Sequence, residues 1–291
     1  MWPALKDTFE RFKAFGHRRR RPILFLAFAG FLAGLVFAGG ELTLRLDDLV
    51  LLPLIGAIFL TQPVLIFLNS LEFKLCGKAA NAHISLRDSL YVSSSATLAN
   101  ILPLPAGLIL RGGALIQRGG TLGFVSKVLL VAAMMWVAVA LTVSGAVISG
   151  GLPARLISLI GGLSICFLLG YISRVSRPGI AFGFLLVRSL MVAILVLQLN
   201  LCFAALGEIV PLRNSAVYVV SGIAGAVVSI VPAGLGLTEA FGALLAKIDG
   251  ASAAMAYVVL SLNRFIGLSM AGLTFFLFSN GGSGFAKTSK S

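Results

Sequence analysis

Charged residues are scarce in this chain: only 11% of its 291 residues are Asp, Glu, Lys or Arg, and no polar stretch is long enough to form a separate soluble domain. Hydrophobic residues make up 58%, and the mean hydropathy is +1.03. Several apolar stretches reach the length of about 18 residues at which a helix can cross a bilayer. The composition therefore predicts an all-α polytopic membrane protein with a single domain.

Histidine and cysteine, the usual residues of metal sites and acid–base catalysis, are also rare. The two histidines, His17 and His83, lie outside the apolar segments, and the three cysteines have no paired spacing. This pattern predicts no disulfide framework, no metal site, no cofactor and no catalytic set. We therefore expect a non-enzymatic membrane protein. The net charge of +13 is interpreted as a topology signal rather than a nucleic-acid surface, because much of it lies near the N terminus.

The distribution of charge divides the chain into three parts: a basic leader (residues 1–22), a transmembrane domain (23–279) and a short tail (280–291). The region that follows the second apolar segment, Glu72 to Ser89, mixes basic and apolar residues and is expected to lie at the cytoplasmic interface. The apolar segments are 23–40, 49–71, 90–104, 122–147, 155–173, 180–206, 215–231 and 252–278.

A helix-breaking hexamer occurs twice. Residues 105–110 read Pro-Ala-Gly-Leu-Ile-Leu, and residues 232–237 read Pro-Ala-Gly-Leu-Gly-Leu, 127 positions later. The segments that start at 155, 180 and 252 lie close to those at 23, 49 and 122 shifted by the same interval. This predicts two inverted repeats (23–147 and 155–279), each with three spans and one re-entrant helical hairpin. The predicted hairpin residues are Pro103, Pro105, Gly107, Pro232, Gly234 and Gly236.

The positive-inside rule favours these six spans over eight. An eight-span arrangement would export Arg111, Arg118, Arg174 and Arg177 and lose most of the charge asymmetry. The six-span arrangement predicts both termini in the cytoplasm of a bacterium, with the protein in the inner membrane. In this arrangement the basic residues on the external side are Arg45, Arg155, Arg213 and Lys247.

Few ionisable residues fall within the apolar segments, where each costs about 2.5 to 3.5 kcal/mol at the centre of a span. Arg188 and Arg264 lie inside spans, while Arg111 and Glu239 follow the two hexamers. An excess of arginine suits a phosphate-bearing headgroup, because guanidinium binds phosphate through paired hydrogen bonds.

Three other interpretations of these residues remain open. The arginines and Glu239 can form a purely structural ion-pair network. Glu239 can be an acidic residue in the first turn of a helix. Asn100 can either fix the first hairpin or line the cavity. Asn69, Gln198 and Asn200 are expected to form interhelical hydrogen bonds.

The residues around the two hexamers resemble those of a known family. Residues 100–111 read Asn-Ile-Leu-Pro-Leu-Pro-Ala-Gly-Leu-Ile-Leu-Arg, residues 232–239 read Pro-Ala-Gly-Leu-Gly-Leu-Thr-Glu, and Asn263-Arg264 lies in the last span. They resemble the transmembrane flippase region of lysylphosphatidylglycerol synthases, over essentially the whole chain. The resemblance implies marked positions at Asn100, Pro103, Gly107, Arg111, Pro232, Gly234, Gly236, Glu239 and Arg264. The chain departs from the family pattern at Pro105, Leu108 and Ala233, where the family has a basic residue, an acidic residue and a second glycine.

The resemblance implies a stand-alone lipid flippase, without the aminoacyl-transferring domain of the synthases. The expected substrate is an anionic or phosphate-bearing lipid, with Asn100, Arg111, Arg188, Glu239 and Arg264 around its headgroup. Two alternatives remain open: an enzyme similar to membrane polyprenyl-pyrophosphate phosphatases, and a non-transporting scaffold for lipid or polysaccharide biosynthesis. The sequence also leaves open an oligomer or a lipid-modifying partner enzyme.

Overall fold

A computed structural model describes residues 28–42, 49–101, 106–148, 151–223 and 234–279. Every regular element in these ranges is a helix, which confirms the all-α prediction. The predicted leader, the C-terminal tail and the prolines Pro103, Pro105 and Pro232 lie outside the described residues.

The described part of the chain contains ten α-helices. A π-helical turn at Gly56–Thr61 interrupts the second of them, and a 3₁₀ turn at Tyr218–Val220 continues the eighth. The helices are α1 (Phe28–Leu42), α2 (Leu51–Ala79), α3 (Leu86–Ala99), α4 (Ala106–Gln117), α5 (Leu122–Val147), α6 (Leu152–Val175), α7 (Pro178–Ala205), α8 (Leu212–Val217), α9 (Leu237–Ile248) and α10 (Ala253–Ser279).

Five of these helices, α2, α5, α6, α7 and α10, are long and apolar enough to cross a membrane. Large aromatic side chains on them point outward: Phe59, Phe167 and Phe276 are each at least 70% exposed. A soluble protein rarely exposes so much contiguous apolar surface, whereas acyl chains solvate it readily. The chain is therefore a multi-pass membrane protein. The predicted first span corresponds in the described residues to the shorter apolar helix α1.

Helix α2 is longer than the sequence predicts. It continues to Ala79, eight residues beyond the predicted end at 71, and its last turns bury Glu72, Phe73 and Cys76. The prediction that Glu72 begins an interfacial stretch is therefore wrong. Its carboxylate is only 1% exposed, and an arginine from another helix neutralises it inside the bundle.

Helices α3 and α4 pack against each other as a helical hairpin. At the open end of the hairpin, Arg118 Nη2 lies 2.9 Å from Asp88 Oδ2. Asp88 is in the first turn of α3 and Arg118 directly follows α4, so the chain returns to the place from which it entered. At the closed end, Asn100 and Gly107 are joined by a hydrogen bond.

The long helices form the framework that surrounds this hairpin. Helix α2 packs against α7 and α3, and α10 packs against α3 and α9. Helix α5 packs against α6 and α8. The main buried core, which includes Phe73, Met135, Phe184 and Leu199, runs through α2, α5 and α7, so these helices hold the interior polar groups in fixed positions.

Candidate functional site

The first helix break, between α3 and α4, is closed by Asn100. Its side-chain Oδ1 accepts a hydrogen bond of 3.1 Å from the backbone N–H of Gly107. This N–H lies in the first turn of α4, where backbone donors have no partner within the helix. A Cβ atom at position 107 would approach the carbonyl oxygen of Ala96 to 2.6 Å and collide with the Asn100 amide. The structure thus places Asn100 as a clamp on the first break.

The second break is a glycine turn directly before α9. Gly234 and Gly236 have φ values of 63° and 79°, in the left-handed region that favours glycine. Glu239 Oε2 accepts a 2.9 Å hydrogen bond from the Gly236 N–H, and Arg264 Nη2 donates to the Gly234 carbonyl at 3.2 Å. Arg264 Nε is also 2.8 Å from Glu239 Oε1. Glu239 and Arg264 therefore fix this turn to α10.

A second buried ion pair joins α2 and α7. Arg188 contacts the carboxylate of Glu72 through Nη2, and both side chains are at least 90% buried. Arg188 Nη1 also lies 3.8 Å from the sulfur of Met191. The sequence analysis identified Arg188 but not its partner. The sequence does contain a signal for Glu72, because it is an acidic residue directly after the apolar segment 49–71 and three positions beyond Asn69.

Arg111, on α4, is held differently. Its Nη2 donates a 2.8 Å hydrogen bond to Asn69 Oδ1 on α2, and its guanidinium carbon lies 6.0 Å from the centre of the Phe73 ring. Asn69 and Phe73 are within one helical turn of Glu72 on α2, so Arg111 lies close to the Glu72–Arg188 pair. Among the described residues, no carboxylate forms an ion pair with Arg111. It is therefore the arginine of this cluster that lacks a matching anion.

A partly open cavity of about 250 Å³ lies next to Arg111 and the Glu72–Arg188 pair. Helices α2, α3, α5, α7 and α10 all contribute to its wall. Ser93 and Ser94 are at most 2% exposed, and their hydroxyls have no hydrogen-bond partner among the described residues. The cavity is lined by Gln62, Leu65, Ile66, Asn69, Ser93, Ser94, Thr97, Trp136, Met191, Leu195, Gly267 and Ala271.

The five predicted site residues fall into two groups. Arg111 and Arg188 lie beside the cavity, since their partners Asn69 and Met191 are part of its wall. Glu239 and Arg264 hold the second break, and Asn100 holds the first. The lining itself consists of residues that the sequence analysis did not assign to a site. A detectable signal was present on α3, where Ser89, Ser93 and Thr97 recur at the four-residue helical spacing.

The predicted interhelical hydrogen bonds of Asn69, Gln198 and Asn200 are confirmed. Asn69 binds Arg111, Gln198 Nε2 donates to Gln62 Oε1 at 2.7 Å, and Asn200 Nδ2 donates to Ser215 Oγ on α8 at 3.2 Å. The Gln198–Gln62 bond joins α7 to α2 at the edge of the cavity. In the described ranges, no three His, Cys, Asp or Glu side chains come together as a metal-binding group.

A wider groove of about 690 Å³ opens on the surface between α5 and α6, where it is lined by Gly145, Arg155, Ser158 and Cys166 among others. It involves only one pair of adjacent helices. The smaller cavity is lined by five helices and by the unsatisfied hydroxyls, so it is the better candidate site.

Comparison of the chain with protein-family models, with curated proteins and with solved structures found no match.

Proposed function

We propose that this protein moves a phosphate-bearing lipid between the two leaflets of a membrane. In this proposal the headgroup passes through the cavity beside Arg111 while the acyl chains stay in the bilayer. The protein works as two inverted repeats with six spans and two re-entrant hairpins, in a bacterial inner membrane with both termini in the cytoplasm. The observation that carries the proposal is an unmatched arginine next to a cavity whose lining includes hydroxyl and amide side chains, inside an apolar bundle.

The element lengths support the inverted repeats. The 29-residue helix α2 corresponds to the 28-residue α7, and the 26-residue α5 corresponds to the 27-residue α10. The helices after the two breaks, α4 and α9, both have 12 residues. Packing is reciprocal as well: α3 of the first half lies against α10, and α8 of the second half lies against α5. Two halves related by a pseudo-twofold axis would produce this crossed arrangement.

The contacts of the first hairpin support re-entry. The Asp88–Arg118 pair holds its two ends together, so α3 and α4 do not continue to opposite sides. Leu108, Ile109 and Leu110 on α4 are each more than 40% exposed, which suits contact with lipid acyl chains. A broken helix inside the hydrocarbon is tolerated only where protein or a polar cavity satisfies its backbone. Asn100 provides this for Gly107.

The charge balance supports an anionic substrate. Three buried or half-buried arginines, Arg111, Arg188 and Arg264, face two buried glutamates, Glu72 and Glu239. Because each glutamate is paired with one of the other two arginines, the surplus positive charge is that of Arg111. The present hydrogen-bond partner of Arg111, Asn69, is neutral. A phosphate that took the place of the Asn69 side chain would form a charge-assisted, bidentate interaction with Arg111. Arg188, Glu239 and Arg264, which are predicted around the headgroup, would then act mainly by holding the helices.

The direct test is a lipid-translocation assay with purified protein in liposomes. A fluorescent phospholipid is placed in both leaflets, and a membrane-impermeant reductant bleaches only the outer population. Wild-type protein should expose inner-leaflet lipid well above the rate of empty vesicles. Arg111→Gln should reduce this rate at least tenfold, since it removes the unmatched charge.

Arg118→Gln is the matched control, because Arg118 also belongs to the α4 end of the hairpin but pairs with Asp88 at a partly exposed position. It should keep a rate within about twofold of wild type, as expected for loss of a surface ion pair. The proposal would be overturned by wild-type vesicles that match empty ones while a known scramblase works, or by undiminished movement in Arg111→Gln. Phosphate release from a polyprenyl pyrophosphate would instead favour the phosphatase alternative.

A further inference from the structure

We propose that the 250 Å³ cavity binds an uncharged polyhydroxyl group, a sugar or polyol, attached to the phosphate of the lipid. The inference names the substrate class of the site and rests on the proposed function for the attachment of that group to a lipid. It depends on the chemistry of the cavity lining as a whole, and not on Arg111 or on any single residue near it.

The polar groups of the lining are neutral, and together they offer both donors and acceptors. The Asn69 and Gln62 oxygens already accept from Arg111 and Gln198, and Thr97 donates to the Ser93 carbonyl, so the two amides contribute mainly their N–H donors. Ser93, Ser94 and Thr97 supply hydroxyls, and Gln62 and Asn69 supply amides. Substrate hydroxyls also donate and accept, so they match such a lining better than any group that only donates or only accepts. The Ser93 and Ser94 hydroxyls are buried and lack partners among the described residues. A buried polar group without a partner is costly, so a ligand that bonded to these hydroxyls would gain from the interaction.

The lining also disfavours cationic headgroups. An ammonium group has three donors and no acceptor capacity, and it is stabilised by carboxylates. No carboxylate is among the lining residues, and Glu72 is already paired with Arg188. Quaternary ammonium groups are bound by cages of several aromatic rings, whereas Trp136 is the one aromatic residue of this lining.

Trp136 contributes a flat, largely apolar surface to the lining. Its ring packs close to Gly222, where an added Cβ would lie 3.2 Å from the indole. The C–H faces of a sugar or polyol can lie on this ring while their hydroxyls bond to α3. The site thus offers both an apolar face and a hydrogen-bonding face, as an amphipathic ring or chain requires.

The size and position of the cavity complete the assignment. Pockets that enclose drug-sized ligands begin at about 300 Å³, so this cavity suits a headgroup rather than a whole lipid. Asn69 belongs to the wall and accepts a hydrogen bond from Arg111. The uncharged part of the headgroup would occupy the cavity, with its phosphate directed towards Arg111.

Trp136 makes a binding test possible without any transport. The other tryptophan of the chain is Trp2, so Trp2→Phe leaves Trp136 as the single indole reporter. Inositol 1-phosphate, glycerol 1-phosphate, phosphoethanolamine, phosphocholine and inorganic phosphate are titrated into this protein in detergent. The two polyol phosphates should change the Trp136 emission at concentrations at least tenfold lower than the other three.

Paired variants on α3 make the test specific. Ser93→Ala with Ser94→Ala should weaken binding of the polyol phosphates at least tenfold and leave that of phosphoethanolamine unchanged. Removal of two unpartnered hydroxyls should not lower the thermal midpoint, so misfolding would not imitate this result. Ser95→Ala is the control, because the Ser95 hydroxyl donates to the Tyr91 carbonyl within the same helix at 2.6 Å and is not part of the lining.

The outcomes separate this inference from the proposed function. Equal responses to all five compounds, or an undiminished response in the Ser93→Ala, Ser94→Ala protein, would overturn the polyhydroxyl assignment. If lipids cross without a preference for polyol headgroups, transport stands and this assignment falls. If polyol phosphates bind selectively but no lipid crosses, the binding site stands and translocation falls.

Discussion

Arg118 and Asp88 are 30 residues apart in the chain, yet Arg118 Nη2 lies 2.9 Å from Asp88 Oδ2. This contact brings the start of α3 next to the end of α4, so the two helices form a hairpin. The two helices have 14 and 12 residues, about 21 and 18 Å at 1.5 Å per residue. Neither is long enough to cross the roughly 30 Å hydrocarbon core alone, which agrees with the proposed re-entrant path.

This geometry makes a prediction about membrane topology. In a background without native cysteines, Asp88→Cys and Arg118→Cys should both react with an impermeant maleimide from the cytoplasmic side. Lys247→Cys, at the end of α9, should react from the opposite side, as the proposed inversion of the second half requires. Labelling of intact and inside-out vesicles measures this directly. Reaction of positions 88 and 118 from opposite sides would show that α3 and α4 together cross the membrane and do not form a re-entrant hairpin.

Gly107 provides a test of the first break. Gly107→Ala should lower the free energy of unfolding by about 1 to 3 kcal/mol, the range for overpacking at a tight contact, because the new methyl group would collide with Asn100 and with the Ala96 carbonyl. Unfolding by SDS in mixed micelles would measure the change.

Gly113→Ala is the matched control on the same helix. A Cβ at position 113 meets no heavy atom within 4 Å, so the substitution should be neutral or stabilise α4 by up to about 1 kcal/mol. Equal effects at both glycines would mean that the clamp formed by Asn100 does not constrain the break.

Much of the fold follows from hydrophobic pattern, but the site does not. Five apolar segments predict α2, α5, α6, α7 and α10 because a bilayer requires long, uniformly apolar helices. The hexamers predict the interruptions before α4 and α9 because proline and glycine weaken helices locally. Glu72 was missed since its burial depends on Arg188, 116 residues away, and no local pattern encodes that pairing. Ser93 and Ser94 are ordinary helix residues until five helices enclose them.

The ion pair at the second break should contribute strongly to stability. Glu239 is fully buried, so Glu239→Gln leaves Arg264 as a buried charge without its anion and should cost about 3 kcal/mol or more. Arg264→Gln should have a similar cost, and the double variant should lose clearly less than the sum of the two.

The Asp88–Arg118 pair provides a second double-mutant cycle for comparison. Its side chains are 18% and 34% exposed, so Asp88→Asn, Arg118→Gln and their combination should show a coupling below about 1 kcal/mol. SDS unfolding of both sets would measure the two coupling energies. Equal coupling at the two sites would contradict the assignment of Glu239 and Arg264 as the structural clamp of the second break.

Variants of the Glu72–Arg188 pair test whether Arg188 holds the helices together or binds the substrate. Arg188→Met should impair lipid movement, because the released Glu72 carboxylate would then neutralise nearby Arg111. Adding Glu72→Leu removes that carboxylate, and replacement of a buried pair by apolar residues of similar volume is often neutral or stabilising. The double variant should therefore recover at least half of the wild-type translocation rate in liposomes. A double variant as inactive as Arg188→Met would instead mean that Arg188 itself binds the headgroup.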